Sequence, residues 1–244
     1  MWYDKGYFDE LLNVGVGNER EEEGNLLEGR EEGGMSENNE YITEEEVKVA
    51  INKMKKGKSA GLDGICGEMI QAGGDSMIKL LEKIFNECWK ERKVPQDWQD
   101  ACLVPLYKGK GDKMKCMNYR GISLLSVVGK IYGRVLIERV KAITEGQIGE
   151  EQGGFREGRG CVDQVFTLRM LMEKFGEKKR DLYVCFMDLE KVYDRVSRNK
   201  MWAVLEDYRV KATLLSSIKA FYKNSRACVR VCRKKTDFFG VGWD

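Results

Sequence analysis

The 244-residue chain is 42% hydrophobic and 34% charged, with a formal net charge of +2. It has no histidine, which excludes zinc fingers and histidine-based catalysis, and its eight cysteines form no CxxC pair, so any bound metal is expected to have oxygen ligands. No apolar run approaches the ~20 residues of a membrane helix, and no export signal opens the chain. We therefore expect no membrane partner, reduced thiols, and an intracellular location in the nucleus or cytoplasm.

Charge is distributed unevenly along the chain. Residues 1–50 contain 15 acidic and 4 basic residues, whereas residues 51–244 contain 25 acidic and 38 basic residues. Because residues 14–40 are rich in glycine and glutamate, we expect residues 1–40 to form an acidic, largely disordered leader with one short helix at Tyr7 to Leu12. The basic remainder suits a polyanionic partner, although ordinary solvated surfaces also carry excess charge.

Two amphipathic helices are predicted after the leader. Thr43 can cap the first helix while Glu46 reaches back to it, and Gly57 is expected to end it. The expected buried face of this helix comprises Val47, Ala50, Ile51 and Met54. The second helix is predicted over Met77 to Trp89, with a buried face of Leu80, Leu81, Ile84 and Cys88.

A β-hairpin is predicted next. Ala101 to Tyr107 form one strand, the basic run K-G-K-G-D-K-M-K from Lys108 to Lys115 forms a flexible tip, and Tyr119 to Leu124 form the returning strand. The remaining predicted helices lie around Val128 to Leu136, around Val165 to Phe175, at Ser197 to Tyr208 and at Ala212 to Tyr222, and the remaining strands at Leu182 to Met187 and Ala227 to Cys232. This order indicates a helix-rich α+β fold with a small, mostly antiparallel sheet.

Asp188 directly follows the apolar strand predicted at Leu182 to Met187. A carboxylate at the end of a buried strand is held rigidly at the sheet edge, where it can bind a hard cation such as Mg²⁺. The backbone carbonyl of Leu189 could supply a further ligand, and Tyr193 could cover the sugar of a bound nucleotide. The alternative interpretation is that Asp188 only caps the following helix.

The segment F-M-D-L-E-K-V-Y-D-R-V, which contains Asp188, resembles the first carboxylate motif of reverse transcriptases from non-LTR (LINE-like) retrotransposons. Three upstream segments resemble blocks of the same family in the same order. They are K-S-A-G-L-D-G-I from Lys58, the hairpin with L-V-P-L-Y-K-G-K-G-D and N-Y-R-G-I-S-L-L, and E-E-Q-G-G-F-R-E-G-R-G-C from Glu150. The resemblance covers about residues 41–235 and implies a partial right-hand polymerase fold, with the fingers and an incomplete palm.

The resemblance also implies roles for individual residues. Asp188 would bind the catalytic Mg²⁺ ions, with Leu189 beside it, and Tyr193 would reject a ribose 2′-hydroxyl. Arg120 and Lys108 would contact the triphosphate of an incoming deoxynucleoside triphosphate. Charge of this kind offsets the negative charge that shifts towards the leaving pyrophosphate.

Other basic residues are expected to bind the RNA template and DNA primer. The candidates are Lys110, Lys113 and Lys115 in the hairpin tip, and Arg156 and Arg159 in the turn from Gly153 to Gly160, where glycine lets a nucleic-acid backbone approach closely. The tip lysines also fit a merely solvated basic loop. Phe155 could stack on a base or belong to a core.

The sequence departs from the family pattern in several places. The family's second carboxylate motif, an aromatic-x-Asp-Asp hairpin, does not occur in residues 1–244, and two-metal catalysis needs more than one carboxylate. Val192 stands where the family has Ala, and Leu62 where it has Pro. We therefore expect residues 41–244 to be a partial reverse transcriptase domain, truncated before the Asp-Asp motif and thumb and inactive by itself.

Two functions from different classes remain open. The first is a fragment of an Mg²⁺-dependent RNA-directed DNA polymerase, whose status as an enzyme is undecided without the second carboxylate motif. The alternative is a non-catalytic nucleic-acid-binding protein derived from a retrotransposon, which would be indifferent to loss of Asp188. A phosphohydrolase of the haloacid dehalogenase type is excluded because Glu190 occupies the position of its second aspartate.

Overall fold

A computed structural model of the chain describes residues 5–13, 41–189, 196–231 and 234–242. The predicted disordered leader and Tyr193 therefore lie mostly or wholly outside the described residues. Helix α1 (Lys5–Leu12) confirms the short helix predicted near the N-terminus. Among the described helices, none is long and apolar enough to cross a lipid bilayer.

Helix α2 (Glu44–Asn52) begins at the predicted capping box. The Glu46 amide donates to the Thr43 hydroxyl at 3.3 Å, and the Thr43 amide donates to the Glu46 carboxylate at 2.9 Å. Val47, Ala50 and Ile51 are buried as predicted, whereas Met54 lies beyond the helix end and is only partly buried. The expectation that Gly57 ends the helix is wrong, because the helix ends at Asn52. The Gly57 amide instead donates to the Glu68 carboxylate at 2.6 Å.

The main hydrophobic core lies among seven helices. With α2 these are α3 (Gly67–Ala72), α4 (Gly74–Glu91), α5 (Gln96–Gln99), α6 (Val127–Thr144), α8 (Arg198–Asp207) and α9 (Ala212–Tyr222). At its centre the ring of Tyr132 lies 5.1 Å from that of Phe85 and 5.6 Å from that of Trp98. Contrary to the prediction, Leu80 is exposed, because Leu81 points into the core and its neighbour is rotated away from it.

The sheet is small and mixed. Strands β1 (Asp100–Tyr107) and β2 (Tyr119–Leu124) form the predicted antiparallel hairpin, and β3 (Arg226–Val231) pairs with β1 in parallel. The short strands β4 (Lys234–Lys235) and β5 (Phe239–Gly240) pair with β3 in antiparallel orientation. The predicted helix-rich α+β class is confirmed, and the sheet is antiparallel except between β1 and β3 within the described residues.

A second, smaller core joins α1 to the sheet. Phe8 is buried against Leu103 of β1 and the β3 residues Ala227 and Val229, together with Phe239. Asn13 fixes the end of α1 to the last described segment, since its side-chain amide donates to the Gly240 carbonyl at 3.0 Å and accepts from the Gly242 amide at 2.9 Å. Helix α1 thus covers one face of the sheet.

The chain divides into two compact units, Met1–Ile143 with Tyr193–Asp244 and Thr144–Val192. The second unit contains a 3-10 turn (Glu145–Gln147) and helix α7 (Cys161–Glu177). Contrary to the predicted buried face, α7 has no buried residue, and both Val165 and Met172 are exposed. A single helix has nothing to bury its apolar face against within the described part of this unit.

The buried strand predicted at Leu182 to Met187 is also wrong. The segment 181–189 is irregular, and Tyr183, Phe186 and Met187 are almost fully exposed. A strand requires a hydrogen-bonded neighbour, and no described strand pairs with these residues. Their apolar character alone does not create one.

Candidate functional site

The β1–β2 hairpin positions the predicted triphosphate-binding residues. The two strands are paired from Cys102 opposite Leu124 to Tyr107 opposite Tyr119. Gly109 and Gly111 in the connection have φ angles of 81° and 83°, a left-handed region that side chains other than glycine rarely adopt. The glycines of K-G-K-G-D therefore allow the tight path of the chain at the tip.

The tip is held by a hydrogen-bond network, whereas the sequence predicted a flexible one. The Tyr107 hydroxyl donates to the Gly111 carbonyl at 2.5 Å, and the Tyr119 hydroxyl donates to the Lys113 carbonyl at 3.0 Å. The Asn118 side-chain amide donates to the Asp112 carbonyl at 2.7 Å. These three side chains fix the backbone that carries the lysines.

The lysines of the tip differ in the contacts that they make within the hairpin. The Lys108 ammonium donates to the Met117 carbonyl at 2.7 Å, and the Lys113 ammonium lies 5.6 Å from the centre of the Tyr107 ring. Lys110 and Lys115 are exposed. Together they give the tip a concentrated positive charge.

Arg120 lies on the sheet face opposite to α1. Arg120 of β2 is paired with Leu106 of β1, and the neighbouring Gly121 faces α1 so closely that a Cβ there would lie 3.0 Å from the Phe8 ring. Successive residues of a strand point to opposite faces, so the Arg120 side chain projects from the face that α1 leaves uncovered. It is exposed and makes no hydrogen bond or ion pair with any residue that the structure describes.

In the second unit, the Arg156 side chain contacts and stabilises the glycine-rich turn in which it lies. Its guanidinium contacts the Glu145 carboxylate at 2.9 Å and donates to the Gly149 carbonyl at 2.8 Å and the Gln152 carbonyl at 3.4 Å. Only 8% of its side chain is exposed. The predicted template contact at Arg156 thus involves a guanidinium that already holds its own turn.

Arg159 is more accessible than Arg156. It is paired with the exposed Glu150, and this hydrogen bond and charge hold the pKa of the Glu150 carboxyl below its usual value. The Gly160 amide donates to the Asp163 carboxylate at 2.9 Å, which caps α7. Phe155, at φ 60° and 88% exposed, lies outside any core, so the core interpretation of this residue is wrong.

Asp188 lies in the second unit, and Lys108 and Arg120 lie in the first. Asp188 and Leu189 are both exposed on the irregular segment 181–189. Among the described residues, no group of three or more His, Cys, Asp or Glu side chains could hold a metal ion. Asp188 therefore belongs to no such group among the described residues, and one carboxylate does not by itself hold two divalent ions.

Comparison with known proteins decides the family. The family model described as reverse transcriptase (RNA-dependent DNA polymerase) matches residues 108–240, which is more than half of the chain. The chain belongs to the reverse transcriptase family. Its matched region contains the hairpin tip, Arg120, the glycine-rich turn and Asp188.

The chain has relatives that come from mobile elements. It is 27% identical over 209 residues to the RNA-directed DNA polymerase from mobile element jockey of Drosophila funebris, covering 82% of this chain and 22% of that protein. The corresponding jockey protein of Drosophila melanogaster is 29% identical over 158 residues, 64% of this chain and 17% of that protein. The predicted resemblance to non-LTR retrotransposon reverse transcriptases is confirmed.

A further relative is the transposon TX1 uncharacterized 149 kDa protein of Xenopus laevis. It is 29% identical over 190 residues, covering 78% of this chain and 14% of that protein. The chain therefore spans less than a quarter of the length of each of these three relatives.

The side chains that order the hairpin tip were not predicted from the sequence. Tyr107, Asn118 and Tyr119 carry no charge, so they did not stand out beside the lysines. Their signal is positional, because Tyr107 and Tyr119 are cross-strand neighbours at the end of the hairpin, with ring centres 5.4 Å apart. Aromatic residues that flank a glycine-rich connection can indicate a tip with a defined conformation.

Proposed function

We propose that the chain supplies the fingers and the first part of the palm of an RNA-directed DNA polymerase, within residues 41–244. The observation that supports this best is Arg120, an exposed guanidinium without a described partner, beside an ordered tip of four lysines. Arg120 and Lys108 neutralise the triphosphate of an incoming deoxynucleoside triphosphate. The rigid strands fix where this positive charge lies, so little reorganisation is needed when the nucleotide binds.

The lysines Lys110, Lys113 and Lys115 bind the phosphates of the RNA template and DNA primer in this proposal. The exposed side chain of Phe155 stacks on a base, and Arg159 leaves Glu150 to bind a phosphate. Arg156 contributes by holding the turn. Phosphate contacts of this kind position a nucleic acid without reading its sequence.

The proposed metal site is not complete in the described residues. Asp188 stays the proposed first carboxylate for Mg²⁺ in the complete polymerase, with Leu189 beside it and Tyr193 as the proposed gate against ribose. Two-metal catalysis needs carboxylates from more than one motif, and Asp188 belongs to no group of three or more metal-ligating side chains among the described residues. We propose that the 244-residue chain alone does not extend a primer.

The nucleotide role is tested by equilibrium binding of a fluorescent deoxynucleoside triphosphate to the chain. Arg120→Gln is expected to weaken binding at least tenfold, because a charge-assisted contact to phosphate is lost. Arg169→Gln is the matched control, since Arg169 is an exposed arginine on α7. Equal affinity of Arg120→Gln and the unaltered chain would contradict the role of Arg120.

The nucleic-acid role is tested with a fluorescent RNA template annealed to a DNA primer, titrated at several salt concentrations. Replacing Lys110, Lys113 and Lys115 by Gln is expected to lower affinity and to reduce the salt slope by about one for each lost phosphate contact. The control replaces Lys79, Lys83 and Lys90, three exposed lysines on α4, and changes the net charge equally. An equal loss in both variants would indicate a general charge effect only.

The alternative, a non-catalytic nucleic-acid-binding protein, is favoured by one feature. The hydrogen bonds that order the basic tip come from residues of its own hairpin and do not involve Asp188. Primer extension by the chain separates the possibilities. Extension that depends on Mg²⁺ and disappears in Asp188→Asn would contradict the proposed inactivity, whereas salt-dependent binding unchanged by Asp188→Asn would support the alternative.

A further inference from the structure

Two cysteines face each other inside the sheet, although they lie far apart in the sequence. Cys102 of β1 and Cys228 of β3 are direct register partners in the parallel pair. Each is only 1% exposed. Direct neighbours on paired strands project their side chains from the same face, so the two thiols lie side by side.

The spacing of the two backbones suits a covalent bond. Neighbouring strands lie about 4.7–4.9 Å apart, and disulfides bridge Cα atoms separated by about 4.4–6.8 Å. Burial raises the pKa of the Cys228 thiol, and the neighbouring Cys102 thiol raises it further. The other described cysteines lie outside paired strands, at Cys66, Cys88, Cys116, Cys161 and Cys185.

We infer that Cys102 and Cys228 are a redox modification site, at which a hydroperoxide converts the thiol pair into a reversible cross-strand disulfide. One thiolate attacks the peroxide, becomes a sulfenic acid and releases an alcohol, or water when the oxidant is hydrogen peroxide. The second thiol then displaces water from the sulfenic sulfur. Two electrons and two protons pass from the thiols to the peroxide, and a dithiol reductant restores both thiols.

The bond would link β1 covalently to β3 and would close a loop that contains the intervening residues. Because both thiols are buried, the reaction requires local opening of the sheet and is slow. The oxidised chain should then resist unfolding better than the reduced chain, since the link restricts the unfolded state.

Peptide mapping tests the bond directly. Hydrogen peroxide is added to the chain carrying Cys161→Ser and Cys185→Ser, which removes two exposed thiols that could link separate molecules. The remaining thiols are alkylated in denaturant before trypsin digestion. The expected product is residues 94–108 joined to residues 227–230, lighter than the sum of the two peptides by two hydrogen atoms and separated by dithiothreitol.

Single cysteine substitutions provide matched controls for the linked peptide. Cys228→Ala and Cys102→Ala should each abolish the linked peptide, whereas Cys116→Ala should retain it. Oxidation should raise the melting temperature of the parent chain and leave that of Cys228→Ala unchanged. If both cysteines stay fully alkylatable after peroxide treatment, or link only to other cysteines, the inference is overturned. Peptide mapping of the Cys161→Ser, Cys185→Ser chain gives this result even where a further variant does not fold.

Discussion

Helices α6 and α7 follow one another along the chain, and both carry apolar residues at helical spacing. In α6, Ile131 and Tyr132 are fully buried, whereas in α7 Val165 and Phe166 are exposed. The helices surrounding α6 supply surfaces for its apolar face, whereas no described residue of 145–189 belongs to a hydrophobic core. Apolar periodicity therefore specifies which face a helix can bury, but burial itself requires a second surface.

The largest expected effect is on the core around α6. Phe85→Ala should lower the free energy of unfolding by about 3–5 kcal/mol, because Phe85 is fully buried against Tyr132 and Trp98. The matched change Phe166→Ala in α7 should alter it by less than about 0.5 kcal/mol. Urea denaturation measures both. Similar losses in the two variants would show that α7 is buried in solution and would remove the contrast.

Close backbone packing gives the next effect. A Cβ on Gly61 would lie 2.7 Å from the backbone of Leu125 and Ser126, so Gly61→Ala should cost about 1–3 kcal/mol. Gly176 in α7 has no such neighbour within 4 Å, and Gly176→Ala should stabilise its helix by about 0.5–1 kcal/mol. Thermal melts of both variants should therefore shift in opposite directions, and a neutral Gly61→Ala would refute the close approach.

A pH effect of intermediate size is expected at the start of α2. Burial opposes ionisation of Glu46, but hydrogen bonds from Arg139 and the Thr43 amide outweigh it and hold the pKa of Glu46 below its usual value. A carboxyl with a lowered folded-state pKa stabilises the fold above its unfolded pKa, and this stabilisation is lost as pH falls through the folded pKa. Glu46→Gln should cost about 1 kcal/mol at pH 7, the usual contribution of a lost capping hydrogen bond, and should reduce the decline of stability at acid pH. An unchanged decline would assign the acid sensitivity to other groups.

The smallest effect is expected at the exposed pair of Arg169 and Glu173 on α7, joined at 3.0 Å. Arg169→Ala should change the free energy of unfolding by less than about 0.5 kcal/mol, because water screens an exposed i,i+4 pair. Denaturation at low and high salt measures this. A loss above 1 kcal/mol would indicate that Arg169 packs against something in solution.

Local signals account for the elements that the sequence predicted best. The capping box at Thr43, the strand over Tyr119–Leu124 and the helix over Ala212–Tyr222 depend on neighbouring residues, and each begins where it was predicted. The segment Leu182 to Met187 could not be predicted in the same way. The partner of β2 lies in the same hairpin, but Leu182 to Met187 would need a partner from elsewhere in the chain, and the residues of the segment carry no information about whether one is present.

The candidate site shows the same limit. The positions of the tip lysines and Arg120 followed from the hairpin pattern, since strand pairing fixes which side chains share a face. The engagement of Arg156 with Glu145 and two backbone carbonyls could not be read from its charge, because a buried arginine and a free one look alike in a sequence. The conformation of the loop around Arg156 determines whether its side chain is buried or free.

The parallel pairing of β1 with β3 has a consequence for biosynthesis. Asp100 is paired with Arg226, which the ribosome adds 126 residues later. At about 5–20 residues per second, the free edge of β1 waits roughly 6–25 s for its partner. During that interval its backbone amides and carbonyls can recruit a foreign strand, so the nascent chain should depend on chaperones until β3 emerges.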